Sequence, residues 1–124
     1  MADKYRVLIA DDEMDIRIIG EAVLRKEGYD IITAEDGQRA WEIYQEQKGE
    51  LSALLTDILM PKMDGFELMK KVREDDLDFP IVAFTATHKS EAREVGANYV
   101  LEKPFDNKDL AEMVGKAVRG EKEE

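Results

Sequence analysis

Five side chains far apart in the chain have types suited to phosphate chemistry. They are the neighbouring acids Asp11 and Asp12, the acid Asp57, the hydroxyl of Thr85 and the ammonium of Lys103. Three carboxylates crowded into one pocket raise one another's pKa and oppose folding unless a cation joins them. Every donor is an oxygen, which favours Mg²⁺ over zinc or copper. The chain has no cysteine and a single histidine, His88, so thiolate and histidine-rich metal sites are excluded. Mg²⁺ keeps several of its waters, which leaves positions open for phosphate oxygens. A carboxylate nucleophile, a hard metal ion, an ammonium and a hydroxyl form a phosphoryl-transfer set, in which catalysis is mostly positioning and charge neutralisation. Asp57 as the nucleophile gives an acyl phosphate.

That chemistry needs a frame that brings the five together. Short β-rich runs occur at Arg6–Ala10, Asp30–Ala34, Leu51–Thr56, Ile81–Thr85 and Tyr99–Glu102. Between them the apolar residues take helical spacing. Ile16, Ile19, Val23 and Leu24 share one face, with Gly28 as the C-cap. Ala40, Ile43 and Tyr44 define a second helix with Asp36 as N-cap. Phe66, Met69 and Val72 mark a third. Leu110, Met113, Val114 and Ala117 mark a last one, entered through Asp106 with Asp109 in its first turn. Between Thr87 and Val95 there is room for only one or two helical turns, near Ser90–Val95. Five β-runs alternating with helices predict a parallel sheet covered on both faces. The unbroken apolar runs Val7-Leu8-Ile9 and Ile81-Val82-Ala83-Phe84 suit strands buried on both sides. In such a sheet all strand ends lie on one edge, so Asp11-Asp12-Glu13, Thr56-Asp57, Thr85-Ala86 and Lys103-Pro104 arrive at one place, where open α/β sheets bind ligands.

The chain of 124 residues suits one domain, and its net charge of −11 repels phosphate backbones, which argues against direct nucleic-acid binding. No apolar run approaches the roughly 20 residues of a membrane span, and the polar N-terminus shows no signal-peptide core. The expected location is the cytoplasm. Taken singly, the site residues have ordinary explanations: Asp11 or Asp12 as caps of the first helix, Asp57 as a turn residue before Met60-Pro61, Thr85 and Lys103 as loop residues. Independent loops rarely supply matched donors to one edge, so the combination favours function. Met60, Met63 and Met69 read as core filler and loop packing. Trp41 reads as half-buried packing, and His88 as a solvated loop residue. Pro104 steadies the backbone that presents Lys103; a cis Lys103–Pro104 bond is open to it but is the minority form.

The segments Asp11-Asp12-Glu13, Thr56-Asp57-Ile58-Leu59-Met60-Pro61, Met63-Asp64-Gly65, Thr85-Ala86 and Lys103-Pro104-Phe105 resemble the receiver domain of two-component response regulators, over about Lys4 to Val118. The resemblance implies a flavodoxin-like, doubly wound five-stranded parallel sheet in the order 2-1-3-4-5, with helices on both faces. It implies a receiver domain over residues 1–119 followed by a charged tail, 120–124. By position, Asp57 accepts the phosphoryl group. Asp12 and Asp57 ligate Mg²⁺ directly, Asp11 does so directly or through water, and the backbone carbonyl of Leu59 adds a ligand. Lys103 pairs with the phosphoryl oxygens, Thr85 hydrogen-bonds one of them, and Gly65 shapes the loop after the acceptor. The implied partners are a sensor histidine kinase or histidine phosphotransfer protein and a downstream protein, bound on the face formed by the fourth helix, fifth strand and fifth helix.

Two features depart from the family pattern. The aromatic residue usual three positions before the lysine is Val100, and Tyr99, one step earlier, belongs to the opposite strand face. Thr85 precedes Gly96 by 11 residues where about 15 are expected, a shortfall of about one helical turn. A shortened fourth helix and an altered output surface follow. The alternatives are a receiver fragment of a larger regulator or hybrid kinase and a phosphorylation-independent pseudo-receiver. A phosphatase of the haloacid dehalogenase type ranks lower, because Leu59 stands where its general acid belongs. A flavodoxin-like cofactor binder also ranks lower, because no phosphate-binding loop follows the first strand.

Overall fold

Val7-Leu8-Ile9 and Ile81-Val82-Ala83-Phe84 are each at most 1% exposed, as expected of central parallel strands. The computed structural model describes residues 4–121. In chain order the elements are β1 (Arg6–Ala10), α1 (Met14–Lys26), β2 (Asp30–Ala34), α2 (Gly37–Gln47), β3 (Ala53–Asp57), α3 (Gly65–Asp75), β4 (Ile81–Thr85), α4 (Lys89–Val95), β5 (Tyr99–Glu102) and α5 (Asn107–Val118). The strands pair in parallel in the order β2-β1-β3-β4-β5, the flavodoxin-like order implied by the resemblance. The expectation of a charged tail over 120–124 falls mostly on residues 122–124, outside the described residues.

Side-chain alternation along the strands divides the core in two. Leu8, Leu54, Ala83 and Val100 pack with Ile43 and Tyr44 of α2, Leu68, Met69 and Val72 of α3, and Ala92 of α4. Val7, Ile9, Leu55, Phe84, Tyr99 and Leu101 pack with Leu24 of α1 and Leu110, Val114 and Ala117 of α5. Tyr99 and Val100 therefore face opposite layers, as one step along a strand requires. Met60, Met63 and Met69 lie in the first layer, as expected of filler. Trp41 is half-buried and stacks on Tyr44 at 5.5 Å.

Helix starts follow the expected carboxylates. Asp36 accepts the Arg39 N–H (2.7 Å) and Asp106 the Asp109 N–H (2.8 Å). Asp64 adds a cap for α3, accepting the Glu67 N–H at 2.9 Å. Some boundaries differ from the sequence expectation. β3 runs Ala53–Asp57 rather than Leu51–Thr56, because the Leu51 N–H still closes the end of α2 on the Gln47 carbonyl (3.0 Å). The C-cap of α1 is Glu27, with Gly28 following at φ +96°. Ile19 is 44% exposed, so the buried seam of α1 runs through Gly20 and Leu24 instead. His88 is half-buried, with its ring edge-on to Phe66 at 6.0 Å, rather than freely solvated.

The fourth helix is two turns long, as the spacing predicts. Its end is tied to α3. Gly96 takes φ +122°, a backbone conformation that favours glycine, and its carbonyl accepts the Arg73 Nη2 (2.7 Å) and Nε (3.0 Å). Arg73 Nη2 also donates to Asn98 Oδ1 (2.7 Å), which accepts the Ile81 N–H as well (2.8 Å). Arg73→Met removes these bonds and leaves a half-buried carbonyl without its donor. We expect a loss of about 1–3 kcal/mol in urea unfolding, with faster amide exchange over Gly96–Asn98.

Candidate functional site

Parallel pairing places the ends of β1, β3, β4 and β5 side by side, with Asp57 opposite Phe84 and Thr85 opposite Glu102. Loop bonds pin the residues just beyond. The Asp11 N–H donates to the Ala34 carbonyl (3.1 Å) and the Lys103 N–H to the Thr85 carbonyl (3.1 Å). The Lys103–Pro104 peptide is cis. Asp11, Asp12, Asp57, Thr85 and Lys103 thus meet at one rim, as the sequence predicts. Asp12, Asp57, Leu59, Thr85 and Lys103 line a cleft of about 370 Å³. That is room for a small ion with waters around it.

One carboxylate oxygen from each of Asp11, Asp12 and Asp57 lies within 4.8 Å of the others. Asp57 is the last residue of β3, and its Oδ1 accepts the Ile58 N–H (2.8 Å) and Lys103 Nζ (3.1 Å). Among the described residues no hydrogen bond reaches its Oδ2. Lys103 Nζ also lies 3.7 Å from Asp11 Oδ2 and 3.9 Å from Glu13 Oε1, above the Phe84 ring at 4.8 Å. Thr85 is buried, and its Oγ1 accepts the N–H groups of Thr87 (3.3 Å) and His88 (3.1 Å). With both acceptor positions used, the hydroxyl hydrogen is left to donate. Gly65 donates its N–H to the Ile58 carbonyl (2.7 Å), and a Cβ there would overlap the Asp57 carbonyl oxygen. That close approach is why the loop after Asp57 takes glycine.

Neither Asp11 nor Asp12 caps α1. Glu13 stands at the N-cap without a side-chain bond, and its own N–H donates to Asp11 Oδ1 (2.8 Å). Asp11 is fully buried, and its Oδ2 has no hydrogen-bond partner. An orphaned buried carboxylate oxygen beside two further acids is the donor set of a hard divalent cation, so the residues fit Mg²⁺. Sequence reasoning missed Phe84 beneath Lys103 and Arg17, whose Nη1 donates to the Asp11 carbonyl at 2.7 Å. The available signals were an aromatic residue one before Thr85 and a cation in the first turns of α1.

Burial raises Asp11 to about 6; the Asp57 charge adds to this, while the Glu13 N–H and Lys103 oppose it. A carboxyl raised on folding gives stability that is full below its unfolded pKa and is lost as pH rises through about 6. At neutral pH without divalent ions the ionised Asp11 therefore destabilises the fold. Asp11→Asn should raise stability by about 1–3 kcal/mol near pH 7.5 in a chelator, by roughly half that near pH 5 and by little near pH 4. Chemical denaturation across pH measures this.

Comparison with known proteins agrees with the geometry. The family model for the response regulator receiver domain matches residues 7–115. The protein named "Probable transcriptional regulator ycf27" of Cyanophora paradoxa is 36% identical over 121 residues, covering 94% of this chain and 49% of its own length. The chain spans about half the length of the curated relatives it matches first. Among solved structures, a putative response regulator from Chloroflexus aurantiacus superposes with a TM-score of 0.87 at 33% identity, covering 94% of this chain and 99% of that one. The receiver domain of a sensor histidine kinase from Pseudomonas aeruginosa has a TM-score of 0.84 at 27% identity, with 94% and 99% covered. That structure has a magnesium ion coordinated in its active-site cleft. With its sheet order, its acidic cleft and a family match over nearly its whole length, this chain belongs to the response regulator receiver domain family of two-component signalling.

Proposed function

We propose that the chain is a phospho-acceptor switch that takes a phosphoryl group from a phosphohistidine onto Asp57. The observation that carries this reading is the meeting of Asp57 with two further acids, a lysine and a threonine hydroxyl in one cleft. Asp11, Asp12 and Asp57, with the backbone carbonyl of Leu59, would hold Mg²⁺. Bound there, the ion would neutralise charge on the phosphoryl oxygens. Asp57 Oδ1 is engaged by Ile58 and Lys103, so Oδ2 is the attacking oxygen. The O–P bond forms as the P–N bond breaks, its electron pair returns to the imidazole nitrogen, and a solvent proton completes the neutral ring. Lys103 then turns from Asp57 to the phosphoryl oxygens, and Thr85 donates its free hydrogen to one of them.

The output follows from what Thr85 already holds. Its Oγ1 carries the N–H of His88, the residue that starts α4, so a displaced hydroxyl draws the first turn of α4 with it. Val100 has no ring to swing inward, so the signal passes through this loop to a protein-binding face on α4, β5 and α5. The donor is a sensor histidine kinase or histidine phosphotransfer protein. The chain catalyses only its own phosphorylation and dephosphorylation. Residues 1–119 act as the receiver unit in the cytoplasm without contacting nucleic acid. Among the described residues no helix is long and apolar enough to cross a membrane. A second reading, a receiver within a larger regulator or hybrid kinase, is favoured by the half-length match to its relatives and by the likeness to a sensor kinase's receiver.

Incubation with Mg²⁺ and acetyl phosphate should add one phosphoryl mass to the wild type and none to Asp57→Ala; modification of Asp57→Ala to the same extent overturns the acceptor assignment. Leu59, 66% exposed and apolar, cannot orient a water, so the phosphorylated chain should lose phosphate slowly. A release time course with a half-life of seconds would exclude this.

A further inference from the structure

Arg17 lies in the second turn of α1, close to an N-terminus where the helix dipole disfavours cations. Among the described residues it forms no ion pair. It is half-buried, and its Nη1 reaches back across the first turn to the Asp11 carbonyl at 2.7 Å. The other polar groups of Asp11 are held as well: its N–H by the Ala34 carbonyl (3.1 Å) and its Oδ1 by the Glu13 N–H (2.8 Å). Only the buried Oδ2 has no hydrogen bond. The Arg17 bond fixes the peptide that joins Asp11 to Asp12, and with it the relative placement of both acids at the rim.

We propose that Arg17 is a positioning residue for the metal site: its guanidinium locks the Asp11–Asp12 peptide so that both carboxylates are set for Mg²⁺ before the ion arrives. The proposal rests on the Mg²⁺ reading of the acidic cleft. Groups that orient metal ligands from behind typically account for about 10–100-fold in affinity. Arg17→Met removes the donor, and Arg17→Lys keeps a cationic one.

Calorimetric titration with Mg²⁺ tests this on the full chain. Arg17→Met should bind Mg²⁺ at least about ten-fold more weakly than wild type, with Arg17→Lys between the two. In chelator, Arg17→Met should unfold within a few degrees of wild type. With acetyl phosphate, the Mg²⁺ concentration for half-maximal phosphorylation should rise by the same factor, while the rate at saturating Mg²⁺ stays at the wild-type value. Arg17→Gln replaces the methionine variant if that one does not fold. Wild-type-like Mg²⁺ affinity in Arg17→Met, or a lost saturating rate with affinity intact, overturns the role of Arg17 alone. A wild-type chain that takes up no Mg²⁺, with Asp12→Asn indistinguishable from it, overturns the metal reading and this inference together.

Discussion

Three carboxylates face one ammonium at the carboxyl edge of the sheet, and the rest of the structure answers to that imbalance. Asp11, Asp12 and Asp57 bring three negative charges within a few ångströms, and Lys103 returns one positive charge, leaving two. At an effective dielectric constant of about 20, the repulsion between Asp11 and Asp57 is on the order of 3 kcal/mol or more, and the attraction of Lys103 for either is of similar size. The lysine's two attractions outweigh that one repulsion, but its single charge still leaves the cluster two negative charges in excess. A divalent cation has the matching charge and the matching ligand preference. Two apolar layers hold the sheet that carries this rim, and their burial outweighs its unfavourable charge.

The backbone around the rim is shaped by close approach. The loop after β3 turns back so tightly that Gly65 presses on the Asp57 carbonyl, and Gly37, the first residue of α2, lies against the Met63 carbonyl in the same way. Two glycines with ordinary negative φ are thus required by crowding rather than by backbone conformation. They bring the starts of α2 and α3 onto the loop that follows Asp57. Lys103 is steadied differently, over the Phe84 ring, which is itself edge-on to Phe105 at 5.7 Å. Its charge is thereby directed over Asp57 instead of into solvent.

The far side of the cleft is built around a helix of only two turns. One end of α4 hangs from Thr85 through the His88 N–H, and the other is held by Arg73 at the Gly96 carbonyl. A short helix stabilises itself poorly, so its position is set by these two ends. Each end of α4 is thus held by a side chain bonded to its backbone, one from the cleft and one from α3. Val100 packs quietly in the layer beneath α4, and the bulk of Tyr99 is committed to the opposite layer, against α1 and α5.

Much of this was readable from the chain alone. The apolar runs placed all five strands, the carboxylate caps located the entries to α2 and α5, and the count from Thr85 to Gly96 foretold the short fourth helix. The gathering of Asp11, Asp12, Asp57, Thr85 and Lys103 at one rim followed from their positions at the ends of strands. Each of these is a local pattern or a consequence of strand direction, which periodicity encodes. Tertiary structure alone decided that Asp11 buries one oxygen without a partner, that Arg17 turns back onto a backbone carbonyl, that Phe84 lies under Lys103, and that Ile19 stays at the surface while Gly20 and Leu24 go inside. Those outcomes depend on how separate elements pack and which rotamers the packing leaves open. A residue's own neighbours in sequence carry no record of that.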